Sequence, residues 1–178
     1  MPKVIDLQEY RTQSTGDRGF EPWCKRFGES YGAETRLSDL SDRTLYFLAR
    51  PGEETAMAFY ELIMGVLGLG AGPKFYYLPD EEQMMVMDIH LFLADQVRFE
   101  MMHRLGWLTG FSVEAYSILD MVHDFQRIRA ECKDKAPALS DADPDFEAYE
   151  KLVTGDKHAL VRRRLRQALE AFGSKLAP

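Results

Sequence analysis

Residues 79–107 read PDEEQMMVMDIHLFLADQVRFEMMHRLGW. Pro79 followed by Asp80, Glu81 and Glu82 suits a helix N-terminus, where the missing N–H costs nothing and negative charge meets the positive end of the helix dipole. No breaker intervenes before Gly106, so the stretch predicts one long helix over about 79–106. Its apolar residues form no single stripe. Met85, Phe92 and Phe99 lie on one side, Met87, Ala94, Val97 and Met101 on the opposite side, and Ile89 and Leu93 between them. A helix apolar all round is expected to be buried, and this one is expected to be the centre of the fold. Its polar residues then become the ones to explain, because charge in a core must be paired, neutralised or ligated. Asp88, His90 and Asp95 are read as a buried polar cluster, and Glu100 and His103 as a pair one helical turn apart.

The helices around it follow the same logic. On the N-terminal side, Ser38 or Ser41 can cap DRTLYFLAR, which Pro51 and Gly52 stop. GEETAMAFYELIMGVLGLG, residues 52–70, opens on acids and closes on glycines. Glu54, Ala58, Glu61, Gly65 and Gly68 share one narrow stripe of that helix, so another backbone can approach closely and Glu61 will meet whatever approaches. On the C-terminal side, Ser112 is expected to cap a helix over about 113–132, and two further helices are expected over about 144–153 and 157–176. No stretch alternates as a strand. The expected fold is all-α: a single-domain bundle of about four long helices with shorter flanking ones.

Residues 1–34 read as a polar, partly disordered segment, with Gln13–Arg18 as linker, ahead of an all-α domain over 35–178. Within that segment Phe20, Trp23 and Phe27 fall at helical spacing around Pro22, a short aromatic docking helix for this subunit or a neighbour.

The chain has 178 residues, a net charge of −7 and a pI near 5.2, which argues against nucleic acid or an anionic membrane as partner. The acidity is concentrated in residues 51–132, where 13 acidic and 5 basic residues leave a net of −8. Cys24 and Cys132 lack metal-knuckle spacing and are too few for a disulfide framework, so both are read as reduced thiols in a cytoplasmic protein. No apolar run approaches the roughly 20 residues needed to span a bilayer.

Glu100-Met-Met-His103 is an ExxH sequence, whose carboxylate and imidazole project to the same side of a helix and can bind one metal ion. A weaker acid–His pair, Asp120 and His123, follows at the same spacing, and Glu61 lies on the preceding helix. Together these residues resemble fragments of the ferritin-like di-iron carboxylate site. That resemblance implies Glu61, Glu100 and His103 as ligands of iron or manganese, with redox or oxygen chemistry. The chain departs from the pattern by placing the second pair on the third helix, by using Asp for Glu there, and by lacking an ExxH near its C-terminus.

No Ser/His/Asp arrangement, phosphate loop or HExxH is present, so no catalytic set is complete. The expected function is a non-catalytic interaction or regulatory module without a cofactor, binding a protein partner or itself as a homodimer. A metal-binding bundle is the first alternative. A binder of a small apolar ligand, using Met84, Met85, Met87, Met101 and Met102, is the second.

Overall fold

The computed structural model describes Val4 and residues 6–178; residues 1–3 and 5 of the expected N-terminal segment lie outside the described residues. The architecture is all-α, a helical bundle with one very small sheet. Its elements are α1 (Leu7–Phe27), α2 (Asp42–Ala49), α3 (Glu53–Leu67), α4 (Asp80–Arg104), β1 (Leu108–Gly110), α5 (Ile118–His123), α6 (Phe125–Cys132), β2 (Ala138–Leu139), α7 (Phe146–Glu150), α8 (Thr154–Arg163) and α9 (Leu165–Leu176).

Two helices set the plan. α3 packs against α1, α2, α4 and α5, and α4 packs against α2, α3, α9 and β1. The start and stop signals act as the sequence suggests. Ser41 caps α2 by accepting from the Thr44 amide, and α3 ends at Gly68 in the left-handed conformation that glycine adopts without steric cost.

The stripe of small residues on α3 receives α1. A Cβ on Gly65 would stand 3.0 Å from Gly19 Cα and 3.2 Å from the Arg18 carbonyl oxygen, so the two backbones are in contact there. Trp23 Nε1 donates to the Ala58 carbonyl at 2.7 Å, Arg18 donates to the carbonyls of Gly65 and Val66 near the end of α3, and Arg26 grips both oxygens of Glu61 at 3.0 and 3.1 Å.

This corrects the reading of the N-terminal segment. Gln13–Arg18 is helical, not linker, and α1 packs on α3. Asp6 caps α1 by accepting from the Gln8 amide, the helix passes through Pro22, and Gly16 and Gly19 serve close contact with Ala33 and Val66. Phe20 and Trp23 are fully buried in their own subunit, and Phe27 meets Trp23 and Phe47 edge to face.

Three further expectations change. The helix expected over 113–132 is two short helices, because Ile118 N–H donates to the Thr35 carbonyl, Ser117 caps α5 there, and Asp124 leaves helical geometry at φ −105°, ψ 30°. The helix expected over 157–176 starts earlier and divides at Arg164 into α8 and α9. Residues 108–110 and 138–139 pair as antiparallel strands with an irregular register.

The helix α4 is buried only in part. From Leu93 onward its apolar residues meet neighbours, whereas Met84, Met85, Met87 and Leu91 in its first half are exposed. Apolar composition shows that a helix can be covered all round, and covering it takes a neighbour on every side. Among the described residues the first half of α4 has none over that arc.

Candidate functional site

The residues proposed as metal ligands are engaged elsewhere. Glu61 holds Arg26 across the α1–α3 contact. Glu100 is buried and accepts from Arg104 Nε at 2.8 Å; the same guanidinium reaches Asp42 at 2.9 Å and the Leu37 carbonyl at 3.0 Å, tying α4 to α2 and the turn before it. His103 Nδ1 stands 3.7 Å from Glu100 and 3.9 Å from Glu114. Among the described residues no group of three His, Cys, Asp or Glu side chains is arranged to hold a metal ion. The chain therefore does not fit the di-iron pattern: each carboxylate of the expected ligand set is already neutralised by an arginine. Asp120 and His123 both face outward on α5.

The expected buried cluster of Asp88, His90 and Asp95 is dispersed as well. Asp88 is exposed. His90 sits against the rings of Phe59 and Tyr60, with centroids 5.1 and 5.2 Å away, and burial, reinforced by Arg98, holds its pKa below the ordinary histidine value. Asp95 bonds Arg162 of α8 at 2.7 Å and lies 3.7 Å from Arg98. Charge on one side of α4 thus finds its partner 67 residues along the chain, beyond the reach of local pattern.

The ligand-binding alternative also changes place. Met101 and Met102 are core, and Met84, Met85 and Met87 are on the surface. A groove of about 720 Å³ lies between α4, α6 and α8, and none of these methionines lines it. Phe92, Phe99 and Phe125 give it an aromatic surface, with Phe92 and Phe125 edge to face at 5.6 Å. Arg129, Lys133 and Arg162 bring positive charge, and Asp88 and Asp95 negative charge. Arg162 is committed to Asp95, while Arg129 and Lys133 make no ion pair among the described residues. Arg129 lies over the Phe125 ring at 5.5 Å.

A small cavity of about 20 Å³ lies beside the groove, and the two share Gln96, Phe99, Cys132 and His158 as lining residues. His158 Nδ1 is buried without a hydrogen-bond partner among the described residues. Burial, helped by the charge of Arg162, pushes the His158 pKa down, and the Lys135 carbonyl and Asp95 partly offset this. The low pKa favours the neutral ring. Burial raises the pKa of the neighbouring Cys132 thiol, keeping it protonated.

Sequence reading had one usable signal for this region. Gln96 is a polar residue on the buried side of α4, a weak signal because it carries no charge. His158 sits in a helix that reads as surface, and nothing near it in sequence marks it.

Comparison with protein-family models, with curated proteins and with solved structures found no match. No helix among the described residues is long and apolar enough to cross a membrane.

Proposed function

We propose that this protein is a non-catalytic interaction module of the cytoplasm that docks a basic amphipathic helix of a protein partner on the first half of α4. The observation that carries this reading is the bare apolar arc there. Met84 is 67% exposed, Leu91 59% and Met87 45%, and Tyr76 and Tyr77 in the preceding turn are 64% and 88% exposed. At about 100° per residue, positions 84, 87 and 91 fall on one side of the helix, and an exposed methionine-rich face of this kind suits an adaptable helix-binding surface.

Charge selects the partner. Asp80, Glu81 and Asp88 are exposed around the arc, in the part of the chain that carries a net −8. A second copy would bring the same acids together, whereas a helix edged with lysine or arginine would pair with them. The two free cysteines accord with a reducing compartment.

The test is titration with an amphipathic leucine–lysine helical peptide and with its leucine–glutamate counterpart. The lysine peptide is expected to bind, more weakly at high salt, and the Met87→Gln/Leu91→Gln double substitution to remove binding. Equal affinity for both peptides, or binding indifferent to the substitutions, defeats the reading. Concentration-dependent dimerisation in sedimentation velocity, removed by the same substitutions, would make a second copy the occupant instead.

A further inference from the structure

A cleft between the end of α1 and one side of α2 is separate from the bare arc and carries the opposite charge. Arg43, Tyr46, Phe47 and Arg50 recur at helical spacing, so two arginines flank two rings along one side of α2 and its C-cap. The last turn of α1 adds Arg26 and Phe27, and the cleft these residues line has a volume of about 340 Å³. We propose that it binds an aromatic phosphate monoester, with the phosphate among Arg26, Arg43 and Arg50 and the ring against the wall formed by Phe27, Tyr46 and Phe47.

Each part of that ligand answers a feature of the protein. The cleft lies at the small end of the range of ligand sites, which combine apolar walls with a few convergent polar groups, and it suits a single ring with one substituent. Three guanidiniums line it against one carboxylate, Glu29, in a chain whose net charge is −7. Glu29 accepts from the hydroxyls of Tyr31 and Thr44. Arg43 and Arg50 are exposed and make no ion pair among the described residues, whereas Arg98, Arg104, Arg127, Arg162 and Arg164 all do. Arg26 bonds Glu61 through one nitrogen and keeps its other N–H groups. A guanidinium presents a planar fork to an oxyanion, and a phosphate monoester offers three outer oxygens to these forks where a carboxylate offers only two. Two of the cations are held before a ligand arrives. Arg50 lies over the Tyr46 and Phe47 rings at 5.2 and 5.7 Å, and Arg26 over Phe47 at 5.8 Å, so little freedom is lost on binding. Phe27 and Phe47, edge to face at 5.4 Å, are both half-buried and leave apolar surface for a ring packed in offset or edge-on geometry. The small volume and the acidity of the rest of the chain argue against an extended polyanion such as nucleic acid.

The experiment uses the full chain, isotope-labelled, and four probes: phenyl phosphate, phenol, which lacks the anion, inorganic phosphate, which lacks the ring, and benzoate, which keeps the ring but has one oxygen fewer. Phenyl phosphate is expected to give saturable NMR shifts of the Thr44 and Arg50 backbone amides. Phenol and inorganic phosphate are each expected to bind about fivefold more weakly, the value of two exposed charge contacts or of one aromatic contact, and benzoate is expected to fall between phenyl phosphate and phenol. Arg43→Gln with Arg50→Gln, at two exposed positions, should abolish the preference for phenyl phosphate over phenol. Arg129→Gln with Lys133→Gln, which removes two other unpaired cations, should leave that preference intact. Because the probes themselves remove one feature at a time, the result does not depend on the folding of any variant. A blocked phosphotyrosine that binds more tightly than phenyl phosphate would place the aryl phosphate on a peptide, and equal affinity would place it on a free small molecule; either upholds the site. Phenol or benzoate binding as tightly as phenyl phosphate, inorganic phosphate doing so, shifts that do not saturate, or a preference that survives the loss of Arg43 and Arg50 would each overturn the assignment.

Discussion

Replacing Gly65 with alanine weighs two opposing effects whose sizes can be worked from the structure. In a helix interior alanine is favoured over glycine by about 1 kcal/mol, so a freely exposed Gly65 would make the variant more stable. Here the added Cβ would lie 3.0 Å from Gly19 Cα and 3.2 Å from the Arg18 carbonyl oxygen, backbone atoms of α1 that cannot rotate away. Overpacking of this kind costs about 1–3 kcal/mol. Pushing α1 outward also stretches the 2.7 Å bond from Arg18 Nε to the Gly65 carbonyl, worth about 1 kcal/mol net. The expected balance is a loss of about 1–3 kcal/mol, or roughly 2–12 °C in Tm for a chain of this size. Urea and thermal unfolding followed by far-ultraviolet circular dichroism measure it. Gly155→Ala serves as control, because a Cβ there meets nothing within 4 Å, and it is expected to stabilise by about 0.5–1 kcal/mol. If Gly65→Ala stabilises as much as Gly155→Ala, the close crossing of α1 and α3 is wrong.

Glu100→Gln should destabilise by about 2–3 kcal/mol, because it leaves the buried side of Arg104 short of its counter-charge, and it should leave the iron and manganese content of the purified protein the same as before. Stoichiometric metal that disappears with the substitution would refute the ion-pair assignment and restore the metal-site reading. Stability should also fall between pH 7.5 and pH 5.5. His90 and His158 both have folded pKa values below that of the unfolded chain, so the unfolded state takes up protons near pH 6.5 that the folded state refuses, and the stabilisation present above that pH is lost as pH drops. The urea midpoint of His90→Phe, which keeps a ring against Phe59 and Tyr60, should be less sensitive to pH over that interval; an unchanged slope would show that His90 protonates freely when folded.

Local chemistry made α2, α3 and α4 readable. Ser41, the acids at Glu53, Glu54 and Asp80–Glu82, and the glycine at 68 act within one or two turns of where they stand. The small-residue stripe on α3 also foretold a close neighbour and a partner for Glu61. It did not reveal that the neighbour is α1, because Gly16 and Gly19, needed for contact, look like breakers when read alone. The start of α5 at Ile118 depends on Thr35, and the pairing of β1 with β2 on residues about 30 positions apart, so no periodicity records them. The groove was illegible for the same reason. Gln96, Cys132 and His158 come from three helices, and what marks the place is the buried, unpaired Nδ1 of His158, which only the folded chain displays.

The division of α4 gives the functional proposal its leverage. From Leu93 to Met102 the helix is structural: Leu93, Val97, Phe99, Met101 and Met102 are core, and Glu100 anchors Arg104. Truncation there removes buried contacts at about 2–5 kcal/mol each and threatens the fold. Between Met84 and Leu91 the side chains of Met84, Met87 and Leu91 are 67%, 45% and 59% exposed, so their replacement should cost far less stability than truncation in the second half. A loss of partner binding on changing Met87 and Leu91 therefore reports on docking and not on unfolding. That separation along a single helix is itself a physical consequence of the chain, in which α2, α3, α9 and β1 pack on α4 and one arc of its first half stays open.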